Sequence, residues 1–330
     1  MSFDATSTVE LTTLAIICFV ALIANGILFW IVLRKKELRT VSNLFVLNLV
    51  AADTLVSLAS MPVTFINVAS STWMFSSKVC VFSGFVTIAS FISSVSSLGL
   101  IAINRYFYIV KWQTYERTCT TPKASLCVGL VWTISLALAS PPLLGWAEYR
   151  FIPGKSFCFI HWQSDVRYMY FMIATCFFGP LLVMALSYYK ILSFTRNHKR
   201  RLAAFVNKHV TKGTDLAPPN PGSTSRLRMS VEETKITHTL VIVVACFVFC
   251  WAPFVITMIL GVYYSQPIPR GVDFGSLLLG YANSMFNPIF YGVRNAGFRK
   301  SFNELYSKYL PCLQNERAAI TPFTARVEDV

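Results

Sequence analysis

Residues Ser97 to Val110 read SLGLIAINRYFYIV, an apolar run that ends in Asn104-Arg105-Tyr106 and carries no other charge. In lipid a guanidinium costs several kcal/mol unless it sits at the interface, faces a polar cavity or is paired. Two readings of Arg105 therefore stand: a functional group, or a positive helix end that only fixes orientation.

The surrounding chain decides the class. It is 55% hydrophobic and 13% charged, with a mean hydropathy of +0.55, and a water-soluble domain of this length rarely has that balance. Seven apolar stretches are each long enough to cross about 30 Å of hydrocarbon as a helix. They run from Leu14 to Leu33, Val41 to Val68, Val79 to Val110, Ala124 to Trp146, Tyr168 to Phe194, Ile236 to Tyr263 and Val272 to Val293. Barrel strands would be shorter and alternate in character. The expected fold is an all-α membrane protein, a seven-transmembrane helix bundle over 14–293, after a short outer N-terminus at 1–13. Beyond it, 294–330 forms a tail that begins with an amphipathic eighth helix, Asn295 to Leu310, on the inner leaflet.

Orientation follows from the basic residues. Arg34, Lys35, Lys36 and Arg39, the segments joining helices three to four and five to six, and the tail hold most of the Lys and Arg, while Met1 to Thr13 holds none. The N-terminus is therefore expected outside and the C-terminus inside. The formal charge of +14 then belongs to the cytoplasmic face, suited to anionic membrane lipids and intracellular partners. Nucleic acid is not an expected partner, because no soluble basic domain exists. Met1 to Glu10 shows no removable signal peptide, so the first helix is expected to act as a signal anchor. The loop 195–233 passes through Asp215-Leu216-Ala217-Pro218-Pro219-Asn220-Pro221-Gly222 and reads as a partly disordered cytoplasmic linker.

Among the nine cysteines, Cys80 and Cys158 fall on the outer side, where oxidation is permitted, and are expected to pair. Cys312, in the tail, is equally open to palmitoylation or to remaining a free thiol. Asp53 lies roughly 18 Å along the second helix, near the midplane, and must be protonated, paired or bound to a cation. Asn283, Ser284 and Asn287 of the seventh helix, with Ser90 and Ser94 of the third, supply oxygen ligands suited to a hard cation such as sodium and not to a transition metal. Glu232 and Glu233 are either partners for Arg105 or a solvated helix start. Pro180, Pro253 and Pro288 interrupt three helices, and each removes a backbone hydrogen bond.

With these residues collected, the chain resembles the rhodopsin-like (class A) G-protein-coupled receptors over nearly its whole length. The resemblance rests on Asn25, Leu49 with Asp53, Asn104-Arg105-Tyr106, Trp132, Pro180 with Tyr188, Cys250-Trp251-Ala252-Pro253, and Asn287-Pro288 with Tyr291. It implies that Arg105, Tyr188 and Tyr291 rearrange at the cytoplasmic face, that Phe247 and Trp251 relay ligand occupancy, and that Asp53 holds sodium. Heterotrimeric G protein, arrestin and receptor kinase are the partners it implies, at the plasma membrane.

Within the class, Ala102 to Tyr106, Tyr108, Tyr281, Asn283-Ser284 and Tyr291-Gly292 are similar to melatonin-type receptors, which implies Gi-type coupling. Pro288 and Pro142 depart from that pattern, and Gln163 follows Cys158 at nearly the spacing of the loop glutamine there. An amine receptor would carry an aspartate where Thr87 stands. A retinal lysine would stand at Tyr281, and Val272 to Val293 contains none, so no retinal cofactor is expected. The expected ligand lining is Thr87, Phe91, Gln163, Met172, Trp251, Phe254, Met258, Leu277 and Tyr281, suited to a neutral or lipophilic extracellular small molecule. An opsin-like receptor without the lysine is an alternative. A transporter is another, though transporters usually show internal repeats. An enzyme is not expected, since no nucleophile, base and orienting group come together.

Overall fold

A computed structural model describes residues 5–210, 221–264, 266–294 and 296–309, with the side chains at 199, 201–203, 205–210, 221–240, 293, 294, 296 and 305–309 excepted. In chain order the helices are α1 (Ala5–Arg34), α2 (Val41–Ala59), α3 (Met61–Ser70), α4 (Ser77–Val110), α5 (Trp112–Thr118), α6 (Thr121–Ala139), α7 (Val166–Met172), α8 (Gly179–Val210), α9 (Pro221–Tyr263), α10 (Arg270–Arg294) and α11 (Ala296–Tyr309). Two short strands, β1 (Tyr149–Ile152) and β2 (Phe157–Ile160), lie between α6 and α7. The architecture is a seven-helix bundle followed by a short helix, as expected.

Proline sets most departures from the expected spans. The second span is α2 and α3 in series, broken at Ser60, because Pro62 cannot donate to the carbonyl four residues back. The fourth span ends at Ala139, earlier than Trp146, because Pro141 and Pro142 turn the chain into a 3-10 segment, Pro141–Leu144. The fifth span is α7 and α8 joined through a π turn, Ile173–Phe178, immediately before Gly179-Pro180. There a missing proline N–H is absorbed by a wider turn. Among the described residues, six spans are long and apolar enough on their own to cross a membrane. The seventh, α10, carries the polar Asn283, Ser284 and Asn287, which are buried inside the bundle.

The core divides by depth. An inner cluster gathers Leu49, Val95, Leu98, Ile101, Met184, Phe247 and Tyr291. An outer one gathers Leu14, Ile88, Ile92, Phe157, Phe159, Tyr168, Phe254, Phe274 and Tyr281. Phe91 and Trp251 pack against both. Outside lipid, the α11 residue Glu304 meets Lys35 at 2.5 Å, and Lys35 holds the Glu304 carboxyl below its usual range.

Candidate functional site

The midplane residues expected to cluster do so. The Asp53 side chain is buried and accepts hydrogen bonds from Ser94 Oγ at 3.0 Å, Ser284 Oγ at 3.4 Å and Asn287 Nδ2 at 2.9 Å. Asn287 also reaches Asn283 Oδ1 at 3.4 Å. Ser90 Oγ, one turn outward from Ser94 on α4, is buried with no partner among the described residues. A carboxylate, hydroxyls and an amide oxygen in a buried site match the donor preferences of a hard cation.

Pro288 has a second effect here. Lacking an N–H, it leaves the Ser284 carbonyl without its helical donor, and Asn25 Nδ2 of α1 takes that carbonyl at 2.9 Å. The kink in α10 is thus held from α1. Trp132 Nε1 likewise donates to Asn48 Oδ1 at 2.7 Å, and Asn48 Nδ2 to Ser97 Oγ at 2.7 Å, tying α6 through α2 to α4.

Above the polar cluster sits an aromatic stack. Phe91 and Trp251 have ring centroids 4.3 Å apart, Phe91 and Phe247 6.3 Å, and Trp251 and Phe254 5.7 Å. Trp251 lies two residues before Pro253, whose absent N–H weakens α9 at that level. Trp251 Nε1 is buried with no hydrogen-bond partner among the described residues. Gly280 of α10 gives the indole its space: a Cβ there would come within 3.2 Å of it.

At the inner face Arg105 Nε and Tyr291 Oη are both buried without partners among the described residues. Tyr188 and Tyr291 pack in the same core cluster as Ile101 and Ala102, the turn of α4 that precedes Arg105. The Arg105 guanidinium also lies 5.9 Å from the Tyr108 ring centroid, and Lys190 Nζ lies 5.5 Å from that of Tyr106. Asn104 is buried and donates to Tyr115 Oη at 3.3 Å, reaching α5 and not the arginine beside it. Glu233 is on α9, but its side chain is outside the described residues, as is Cys312.

The outer face divides the expected ligand lining into two groups. Cys80 and Cys158 are joined, as their position predicts. The β1–β2 hairpin that holds Cys158 folds into the bundle mouth, pairing antiparallel from Tyr149↔Ile160 to Ile152↔Phe157. Phe157 and Phe159 meet the Phe254 ring edge-on at 6.3 and 5.6 Å. An open cavity of about 660 Å³ lies on the outer side of this plug, lined by Phe157, Phe159, Gln163, Phe254, Thr257 and Met258 among others. Of the predicted lining, Gln163, Phe254 and Met258 face this cavity. Thr87, Phe91, Met172, Trp251, Leu277 and Tyr281 do not, because the hairpin fills the space above them. Thr87 Oγ1 is turned to Ser83 O at 2.7 Å, and Tyr281 Oη meets Ser60 Oγ at 2.7 Å and Thr64 Oγ1 at 3.0 Å. Tyr281 is held at the α2–α3 break.

Two ion pairs on this face were missed. Lys155 at the hairpin tip is buried and pairs with Asp273 on the first turn of α10. Burial holds the Lys155 ammonium below its ordinary pKa, with Asp273 partly offsetting this. The guanidinium of Arg270 grips the carboxylate of Glu10 through two nitrogens at 2.7 and 3.1 Å. Neither is periodic in sequence. The hairpin itself had a signal, aromatic and β-branched residues on both sides of Pro153-Gly154.

The sequence model of the 7 transmembrane receptor (rhodopsin family) matches residues 24–291. The chain is similar to the 5-hydroxytryptamine receptor 4 of Cavia porcellus, 29% identical over 306 residues that span 89% of this chain and 78% of that one. It is similar to the alpha-1D adrenergic receptor of Mus musculus at 30% identity over 317 residues, 88% of this chain and 56% of that one. Its fold superposes on squid rhodopsin with a TM-score of 0.79 at 21% identity, covering 95% and 87% of the two chains.

Proposed function

The chain belongs to the rhodopsin family of seven-transmembrane receptors, and on that premise we propose that it binds an extracellular small molecule and activates heterotrimeric G proteins at the plasma membrane, with its N-terminus outside. It is a receptor and not an enzyme, in keeping with its family and relatives. The observation that carries the coupling proposal is Arg105, whose buried Nε has no partner among the described residues and which follows directly on the core cluster that holds Tyr188 and Tyr291. A donor left unsatisfied in the resting bundle is available to a state in which the inner face opens.

The mechanism is a population shift. A ligand that prefers one arrangement of Phe91, Trp251 and the Pro253 hinge changes how α9 packs, and Arg105 exchanges its resting surroundings for a G-protein contact. Arrestin and a receptor kinase would use the same opened face. Because the cavity walls are mostly aromatic and aliphatic, the ligand we favour is neutral or lipophilic. The relatives named above are amine receptors by name, but Thr87 offers no counter-ion for an amine. A melatonin-like ligand and Gi-type coupling rest on motif likeness alone. Tyr281 presents a hydroxyl already bonded to Ser60 and Thr64, which leaves retinal no amine to join. Ligand-stimulated nucleotide exchange on purified G proteins tests the reading. Solute flux through the reconstituted protein with no exchange would overturn it.

Asp53, Ser94, Asn283, Ser284 and Asn287 would hold a sodium ion, which when bound would supply the counter-charge that the buried carboxylate lacks. Free sodium at about ten times its dissociation constant then stabilises the resting receptor by about 1.4 kcal/mol. Asp53→Asn is expected to remove this sodium-dependent rise in melting temperature, with potassium as the control. An equal rise in the variant would exclude the site.

A further inference from the structure

His161 follows directly on β2, and both of its ring nitrogens face acceptors. Nδ1 lies 3.2 Å from Glu148 Oε1, and Nε2 lies 3.2 Å from Gln163 Oε1. The orientation of the Gln163 amide is fixed independently. Its other end meets the backbone carbonyl of Gly261, at the outer end of α9, at 2.6 Å, and a carbonyl only accepts, so that end is the NH₂ and the oxygen is turned to His161. A carboxylate is likewise an acceptor only. A neutral imidazole has one N–H and can satisfy one of these two neighbours, leaving a lone pair aimed at the other. An imidazolium satisfies both.

No other described group resolves the conflict. Nδ1 is buried and makes no hydrogen bond in this geometry among the described residues; Glu148 Oε1 stands beside it at ion-pair distance only. From β1, Arg150 reaches the same Glu148 oxygen at 3.9 Å and is exposed, so it shares the carboxylate without donating to the ring. From α10, Asp273 is committed to Lys155, and both line the same cavity as His161. From α9 the facing group is the Gly261 carbonyl.

We propose that His161 is an extracellular proton site: with a proton on each ring nitrogen, the chain Glu148–His161–Gln163–Gly261 closes and ties the hairpin to the outer end of α9. The ligand is the proton itself. Of the two histidines whose side chains are described, His161 and His198, the former lies beside the hairpin. The link needs a proton on each ring nitrogen and opens when either is removed. Its effect on signalling rests on the receptor reading above; the proton site does not.

The test uses the full-length receptor in lipid nanodiscs with ¹³C/¹⁵N-labelled histidine, His161→Gln identifying the resonance. Two protonated ring nitrogens on His161 at pH 6 are expected, one at pH 8.5. Amide exchange over 259–263, corrected for intrinsic rates, should be about tenfold slower at the acid end, the worth of one charge-assisted hydrogen bond. Glu148→Gln and His161→Gln, both at partly exposed positions, should each flatten that dependence. Ligand-free nucleotide exchange at the two pH values should differ in the parent and not in His161→Gln. A ring that keeps one proton across the range, or exchange over 259–263 that is equally pH-dependent in His161→Gln, overturns the proposal. Normal titration and protection with no nucleotide exchange at any pH would instead count against the receptor reading and leave the proton site standing.

Discussion

Arg105→Ala should reduce ligand-stimulated nucleotide exchange by about two orders of magnitude while surface expression stays within about twofold of the parent. The two halves of this expectation have different physical origins. Expression survives because, among the described residues, Arg105 has no ion-pair partner to leave stranded, and its contact with the Tyr108 ring is worth about 0.5–1 kcal/mol. Coupling is lost because the guanidinium carries the charge at this end of α4, its buried Nε is unsatisfied among the described residues, and neither Tyr188 nor Tyr291 can replace a cation. Arg105→Lys separates charge from geometry: a point charge without the planar fork should recover only part of the exchange. Full exchange by Arg105→Ala would remove the arginine from the mechanism.

Lys155→Ala carries the second large effect. It leaves the buried Asp273 carboxylate without its counter-charge. Breaking one side of a buried pair costs about 3–5 kcal/mol, which for a chain of this size is a fall in apparent melting temperature of roughly 10 °C. The double variant Lys155→Met with Asp273→Asn should regain most of that loss, because a neutral pair removes the stranded charge while the Lys155 stem volume beside Phe254 is kept. If the single variant melts with the parent, the hairpin does not depend on this pair.

The seven spans, the inner-face cluster and the Asp53 site were legible in sequence because each is written in local terms. Hydropathy marks the spans. A carboxylate at mid-helix must find partners, and α10 offered Asn283, Ser284 and Asn287 on neighbouring turns. The α2–α3 break and the π turn before Pro180 were half-legible: proline shows where a helix is disturbed, while tertiary packing decides how. The ligand lining was read from position around the helices, and Thr87, Leu277 and Tyr281 do not line the outer cavity, because a segment distant in sequence occupies the space above them. Glu10 with Arg270 and Lys155 with Asp273 join residues more than a hundred positions apart. Only the closed bundle brings them together. Asn104 taught a related lesson: a neutral neighbour could not neutralise Arg105, and its hydrogen bond instead ties α4 to the Tyr115 hydroxyl of α5.

The β1–β2 hairpin is attached to the bundle by legs of three kinds: the disulfide to α4, the Lys155–Asp273 pair to α10, and hydrogen bonds to α3, α6, α9 and α10 from or to Asn67, Ala139, Gly261 and Arg270. These legs differ in lifetime. The covalent one is permanent on the scale of a binding event, the buried ion pair opens rarely, and the hydrogen bonds open most readily. A molecule passing from the outer cavity toward Phe91 and Trp251 therefore has its entry timed by the weakest leg still in place. Rate of entry, more than contact area, becomes the property this hairpin controls.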